Sequence, residues 1–121
     1  MSDIFVSYAR QDRDRAQAVA EALEKQGFTV WWDRKIPPGK TFDQVIQEAL
    51  DGSRCVIVLW SKTSVRSDWV KEEAQTGAAR GTLVPVLIDD VSIPLGFGRI
   101  QTANLVGWRG DLAYVEFKQL S

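Results

Sequence analysis

The chain has 121 residues, 45% of them hydrophobic and 26% charged, with 15 lysines and arginines against 16 aspartates and glutamates and a net charge of −1. That length suits one domain and that composition a packed core, while the balanced charge gives no basic field for nucleic acid or an anionic membrane. There is no histidine and one cysteine, Cys55, which removes internal disulfides, histidine-assisted nucleophiles and the usual zinc ligand sets.

Residues 3–8 (DIFVSY) form a short apolar run of β type, the first strand. Over 11–26 the period changes. Ala16, Val19, Ala20 and Leu23 make the stripe of an amphipathic helix, and Gly27 stands where a left-handed residue closes one. Residues 28–32 (FTVWW) are the second strand, and the alternating faces of a strand cannot send both Trp31 and Trp32 into one core, so one should be exposed or covered by a partner. Residues 33–40 (DRKIPPGK) are a loop, since two prolines and a glycine continue neither strand nor helix. Thr41 and Gln44 form a capping box, and Phe42, Val45, Ile46, Ala49 and Leu50 give the second helix its apolar face. Residues 54–60 (RCVIVLW) read as the central strand, covered on both faces and far too short to cross a bilayer. No signal peptide is visible.

Residues 61–67 are polar and loop-like, and Asp68 is placed to cap a helix from Trp69 to about Arg80, stopped by Gly81. Residues 83–88 (LVPVLI) are a fourth strand whose Pro85 points to an edge or a bulge. Residues 89–102 are irregular, 104–106 a short fifth strand and 111–120 a last helix. Strands alternating with helices predict right-handed crossovers and a parallel sheet covered on both faces. The expected fold is a flavodoxin-like three-layer α/β sandwich, five parallel strands in the order 2-1-3-4-5, filling 1–121 as one domain excised from a longer protein. In such sheets ligands bind beyond the carboxyl ends of the strands.

No P-loop or G-x-G-x-x-G follows the first strand. The first strand runs into Ser7, Tyr8, Ala9 and Arg10 and the third ends at Trp60 and Ser61, so the acidic cluster of a phosphoacceptor domain is missing. What the topology brings to one edge is Tyr8 and Arg10, Asp33 and Gly39, Ser61, and the pair Trp69 and Glu73 on one helix face.

Three stretches, F-V-S-Y-A-R at 5–10, W-W-D-R-K-I-P-P-G-K at 31–40 and S-D-W-V-K-E-E at 67–73, resemble the three boxes of bacterial TIR (Toll/interleukin-1 receptor) domains, and G-R-I-Q-T-A-N-L-V-G-W at 98–108 is similar to their C-terminal segment. The resemblance covers nearly the whole chain in the expected order. It implies cleavage of the nicotinamide–ribose bond of NAD+, with NAD+ as substrate and no resident cofactor or metal. It places the catalytic glutamate at Glu73, four positions after Trp69; Glu72 lies on a different helical face. It implies substrate contacts at Tyr8, Arg10, Asp33, Gly39 and Phe42, to which the edge geometry adds Ser61 and Trp69. One departure stands out: many relatives carry two basic residues after the tyrosine, and here Ala9 takes the first place. The resemblance also makes Arg34, Lys35, Ile36, Pro37, Pro38, Gly39 and Lys40 a loop for homotypic self-association, or for contact with other TIR domains. It implies a cytoplasmic protein or an effector secreted into a host cell.

The chemistry needs few groups. Glycosidic cleavage passes through an oxocarbenium-like transition state. Nicotinamide leaves NAD+ as a neutral molecule, so no acid is required, and one carboxylate can hold the ribose and stabilise the developing cation. Whether water or a purine nitrogen then attacks, giving ADP-ribose or a cyclic isomer, stays open. The other expectations are an interaction module without catalysis and a domain that binds the nucleotide without cleaving it. The residue-level alternatives are a solvated Glu73, a Tyr8 that is only a core aromatic, a surface ion pair of Arg10 with Asp33, and a Gly39 that serves only its turn.

Overall fold

In the structure, a computed structural model, residues 3–34, 36–97, 100 and 102–107 are described. Lys35, Trp108, the expected last helix and part of the segment 98–108 lie outside the described residues. β1 (Ile4–Ser7), β2 (Val30–Trp31), β3 (Cys55–Trp60), β4 (Leu83–Leu87) and β5 (Ala103–Asn104) pair in parallel in the order β2-β1-β3-β4-β5. α1 (Arg13–Lys25), α2 (Phe42–Gly52) and α3 (Asp68–Ala79) join them. This is the expected doubly wound fold.

The sheet divides two cores, and strand alternation assigns residues to each. Ile4, Val6 and Tyr8 of the first strand and its extension join Ala16, Val19 and Leu23 of α1, with Ile57 and Leu59 of β3. Phe5 joins Ile46 and Leu50 of α2, Val70 and Ala74 of α3, and Val56, Val58 and Trp60 of β3. α1 therefore covers one face, and α2 with α3 the other. The two cores also resolve the pair of tryptophans. Trp31 stacks on Phe5 at 5.0 Å in the second core, while Trp32 packs against the first. Each takes its own face, so neither requires a partner molecule.

Local signals account for most boundaries. Thr41 accepts from the Gln44 backbone at 3.2 Å and the Gln44 side chain accepts from the Thr41 backbone at 3.1 Å, closing the capping box. Gly27 has φ 98° at the end of α1. α3 begins one residue earlier than expected. Ser67, not Asp68, is its N-cap, accepting from the Val70 backbone at 3.3 Å. β2 is shorter than the run 28–32, because Thr29 bonds Asp3 through both side chains at its head. Pro85 pairs across to Val58 of β3, whereas β5 meets β4 only at Val86 and Leu87. The donor that Pro85 lacks therefore faces an edge.

Candidate active site

Parallel strands end at the same edge, so the residues after β1, β2, β3 and β4 converge there. Alternation along β1 decides what each delivers. Phe5 faces α2 and α3, and Ser7, two residues on, faces the same way. Its hydroxyl donates to Glu73 Oε1 of α3 at 2.7 Å. Tyr8 takes the other direction and donates its hydroxyl to the Trp32 carbonyl at 2.6 Å.

Glu73 is only 3% exposed, so the solvated-glutamate alternative fails. Arg34 meets its carboxylate with two N–H groups, Nη1 to Oε2 at 2.7 Å and Nη2 to Oε1 at 3.0 Å. The same Nη2 donates to the Val6 carbonyl at 3.0 Å. The guanidinium is ringed by Phe5, Tyr8 and Trp31, at 5.3, 5.0 and 5.4 Å from their centroids. A delocalised, weakly hydrated cation among aromatic faces suits such burial better than an ammonium would. Arg34 Nε is nevertheless buried with no hydrogen-bond partner.

Beside this pair opens a cleft of about 400 Å³, lined by Tyr8, Arg10, Arg13, Asp33, Arg34, Phe42 and Trp69. Phe42 leans on Trp69 at 5.4 Å, and the Trp69 indole N–H is buried and without a partner. Arg34 thus lines the cleft, whereas its partner Glu73 lines a neighbouring hollow with Asp43, Gln47 and Thr76 that shares Trp69 with the cleft. Five of the expected substrate contacts, Tyr8, Arg10, Asp33, Phe42 and Trp69, are together in one wall.

Two others are elsewhere. Ser61 is fully buried, and its hydroxyl donates to Asp12 while accepting from the Ser64 backbone at 3.0 Å. The turn after β3 folds back on itself and leaves that hydroxyl nothing to offer the cleft. Gly39, at φ 86°, lies in the exposed turn closed by Lys40 N–H on the Pro37 carbonyl at 3.2 Å, away from the cleft. Pro38 and Lys40 are exposed with it, and Ile36 is half-buried. Asp33 accepts from Arg13 at 3.3 Å, and Arg13 also lies over the Trp32 ring at 4.9 Å. That bond holds the Arg13 guanidinium firmly protonated.

Sequence reasoning missed a brace below the cleft. Asp12, 4% exposed, ends a 3-10 turn at Arg10–Asp12 and donates its backbone N–H to the Ala9 carbonyl at 2.8 Å. Its carboxylate takes the Ser61 hydroxyl and Arg15 Nη2, the latter at 2.6 Å. Arg15 reaches on to Asp89 at 2.7 Å, and Asp89 also accepts from the Lys62 backbone at 2.9 Å. Arg15 foremost, with Lys62 N–H, holds the Asp89 carboxyl below the usual range. The loops after β1, β3 and β4 are tied together by these charges. Among the described residues no cluster of potential metal ligands occurs, and no helix is long and apolar enough to cross a membrane.

The chain is similar to the 2' cyclic ADP-D-ribose synthase BtTIR of Bacteroides thetaiotaomicron, at 32% identity over 80 residues, covering 64% of this chain and 28% of that protein. It is similar to the NAD(+) hydrolase PdTIR of Paracoccus denitrificans, at 34% identity over 73 residues, covering 59% of this chain and 24% of the relative. The matched stretch spans less than a third of either relative. Among solved structures, the TIR domain of the Toll-related receptor TRR-2 from Hydra magnipapillata has the same fold, with a TM-score of 0.78 at 22% identity, over 86% of this chain and 84% of that one. Residues 4–120 match the TIR domain, and with the sheet order in place the chain belongs to the TIR domain family.

Proposed function

We propose that this chain is an NAD+ glycohydrolase domain in which Glu73 is the catalytic carboxylate. The observation that carries the reading is a buried carboxylate, held by Ser7 and Arg34, beside a cleft walled by Tyr8, Phe42 and Trp69. A preorganised, desolvated carboxylate is what an oxocarbenium-like transition state calls for. The aromatic wall suits a flat nicotinamide ring. Relatives whose names specify NAD+ hydrolysis and cyclic ADP-ribose synthesis support the same reaction class.

In the arrangement described, Arg34 stands where the substrate's ribose would have to meet Glu73. Arg34 belongs to the loop of residues 33–40, which we propose as the self-association surface. Association that draws this loop outward withdraws the guanidinium and uncovers Glu73, and NAD+ turnover then depends on clustering. NAD+ is the substrate, and the reaction as proposed uses no resident cofactor.

The test is nicotinamide release from NAD+ by the chain, dispersed and crowded on a surface. Release that rises on crowding and disappears in Glu73→Ala is the expected result. Equal release by wild type and Glu73→Ala overturns the reading. One observation favours a second reading, an interaction module without catalysis: Glu73 already has a full set of partners, as a purely structural ion pair would. Folded wild type that self-associates yet releases no nicotinamide under any crowding supports that reading.

A further inference from the structure

A glutamate carboxylate turns about its last bond in a broad, roughly two-fold well, so its own rotamer does not fix where each oxygen points. The helix that carries Glu73 is firmly set. Val70, Ala74 and Gly77 of α3 are buried, and Gly77 lies close against Val56 of β3. The orientation of the carboxylate plane therefore rests on its hydrogen-bond donors, two from Arg34 and one from Ser7.

These donors differ in how they are anchored. Ser7 belongs to β1, is fully buried and pairs with Val58 of β3. Phe5, Val58 and Trp60 beside it on that face of the sheet are apolar. A hydroxyl among them is costly unless it is bonded, and this one donates to Glu73 Oε1 at 2.7 Å. Arg34 instead sits in the loop of residues 33–40. The donors differ also in the oxygen they hold. Arg34 gives Nη2 to Oε1 at 3.0 Å and Nη1 to Oε2 at 2.7 Å, whereas Ser7 meets Oε1 alone. Withdrawal of Arg34 thus leaves Oε1 held by the strand and strips Oε2 of its guanidinium, on the side where Arg34 lined the cleft.

We infer that Ser7 is a positioning residue of the reaction, which pins Oε1 of Glu73 and turns Oε2 to the cleft as the oxygen that meets the charge developing on the ribose. The inference rests on the reading that Glu73 is the catalytic carboxylate and that Arg34 leaves it. Ser7 touches no substrate. It acts by removing the last rotation of Glu73, so that the carboxylate needs no reorganisation when the nicotinamide departs with the electron pair of the broken bond. Misplacing a reacting group slightly costs rate steeply, whereas the aromatic wall that receives the substrate is untouched by Ser7. Its loss should therefore fall on kcat and not on KM.

Nicotinamide release by crowded wild type, Ser7→Ala and Ser7→Thr, each assayed below its own Tm, tests this. Ser7→Ala lowers kcat by roughly 10–100-fold and leaves KM within about twofold, and Ser7→Thr, which keeps the hydroxyl, recovers most of the loss. A serine that is only structural would lower Tm and leave kcat of the folded protein as it was. Wild-type kcat in folded Ser7→Ala therefore overturns the inference. A second measurement needs no turnover and no variant of Ser7, the crystal structure of Arg34→Met. Glu73 Oε1 still within hydrogen-bond distance of Ser7 Oγ, with Oε2 facing the cleft, upholds the inference, and a carboxylate swung away from Ser7 overturns it. Absence of release by wild type under any crowding counts against catalysis by Glu73, and the Arg34→Met structure then still decides whether Ser7 pins the carboxylate.

Discussion

Replacing Arg34 by methionine removes the guanidinium and keeps much of the side chain's bulk. Its pair with Glu73 is nearly out of water, at 14% and 3% side-chain exposure, so solvent screening is slight. Arg34 supplies two of the three side-chain hydrogen bonds to the carboxylate, at 2.7 and 3.0 Å, and Ser7 the third, at 2.7 Å. A bond to a charged group contributes about 1.5–3 kcal/mol, and stripping one partner from a buried pair costs about 3–5 kcal/mol because the other charge is left uncompensated. Arg34→Met should therefore lose about 3 kcal/mol, a fall of about 10–20 °C in Tm for a domain of this size. Glu73→Leu, which strands the guanidinium, should lose a similar amount. The double variant should lose much less than the sum, since an apolar pair strands nothing. Urea and thermal unfolding of the four proteins gives the coupling energy, expected to exceed about 2 kcal/mol. Losses that add to within about 0.5 kcal/mol refute the reasoning, because groups acting as one buried pair cannot be independent. On the proposed function, Arg34→Met assayed below its Tm also releases nicotinamide without crowding.

Other parts of the molecule give sharper stability readouts. Gly77 lies where α3 crosses β3, and an added Cβ would meet Val56 Cβ at 2.9 Å, so Gly77→Ala should destabilise by about 1–3 kcal/mol in urea despite its better helix propensity. Thr41→Ala opens the capping box of α2 and should lower stability by about 1 kcal/mol in the same assay, with Thr41→Ser restoring most of it. Asp89 is held below its ordinary pKa chiefly by Arg15. Its pairing thus stabilises the fold in full above the unfolded value near about 3.9, and the benefit is lost as pH falls through the lower folded value. Tm measured from neutral pH down to below about pH 4 should drop less steeply in Asp89→Asn than in wild type. Burial pushes the Cys55 thiol up, so its reaction with a disulfide reagent at neutral pH should be much slower than that of a free thiol.

Much of this fold could be read from local chemistry. The apolar run 54–60, the capping box at Thr41 and Gln44, and Gly27 after the stripe of α1 each name one element without reference to the others. Their alternation then allows few topologies. Less legible was anything set by a partner distant in sequence. Asp12 stands among charged neighbours in R-Q-D-R-D-R and reads as solvated, and only Ser61 and Arg15 explain its burial. Ser61 read as an edge residue because it follows β3, and the turn through Ser64 that buries it carries no strong signal. The tryptophan pair misled because one core was assumed. A sheet covered on both faces provides two, and Trp31 and Trp32 use one each.

Arg34 and Glu73 show why the site was only half legible. Glu73 is marked by the resemblance of the stretch 67–73, a local pattern that sets it four residues after Trp69. Arg34 follows Asp33 in a charged loop and looks like a surface residue until the fold carries it 39 positions along the chain to a buried carboxylate. A permanent structural pair gains most when both partners are anchored. Here Glu73 is fixed in α3, but its counterion is carried by a loop whose residues Pro37, Pro38, Gly39 and Lys40 are all exposed. What holds the loop is Arg34 itself, through Glu73, the Val6 carbonyl and the rings around it, and not the exposed residues 37–40. The carboxylate's need for a cation would persist after Arg34 left, because Glu73 is too deeply placed to be satisfied by solvent alone. On the proposed reaction, the developing ribosyl cation meets that need as the guanidinium did. The same burial that makes the pair stabilising at rest then makes the uncovered carboxylate most favourable to the transition state.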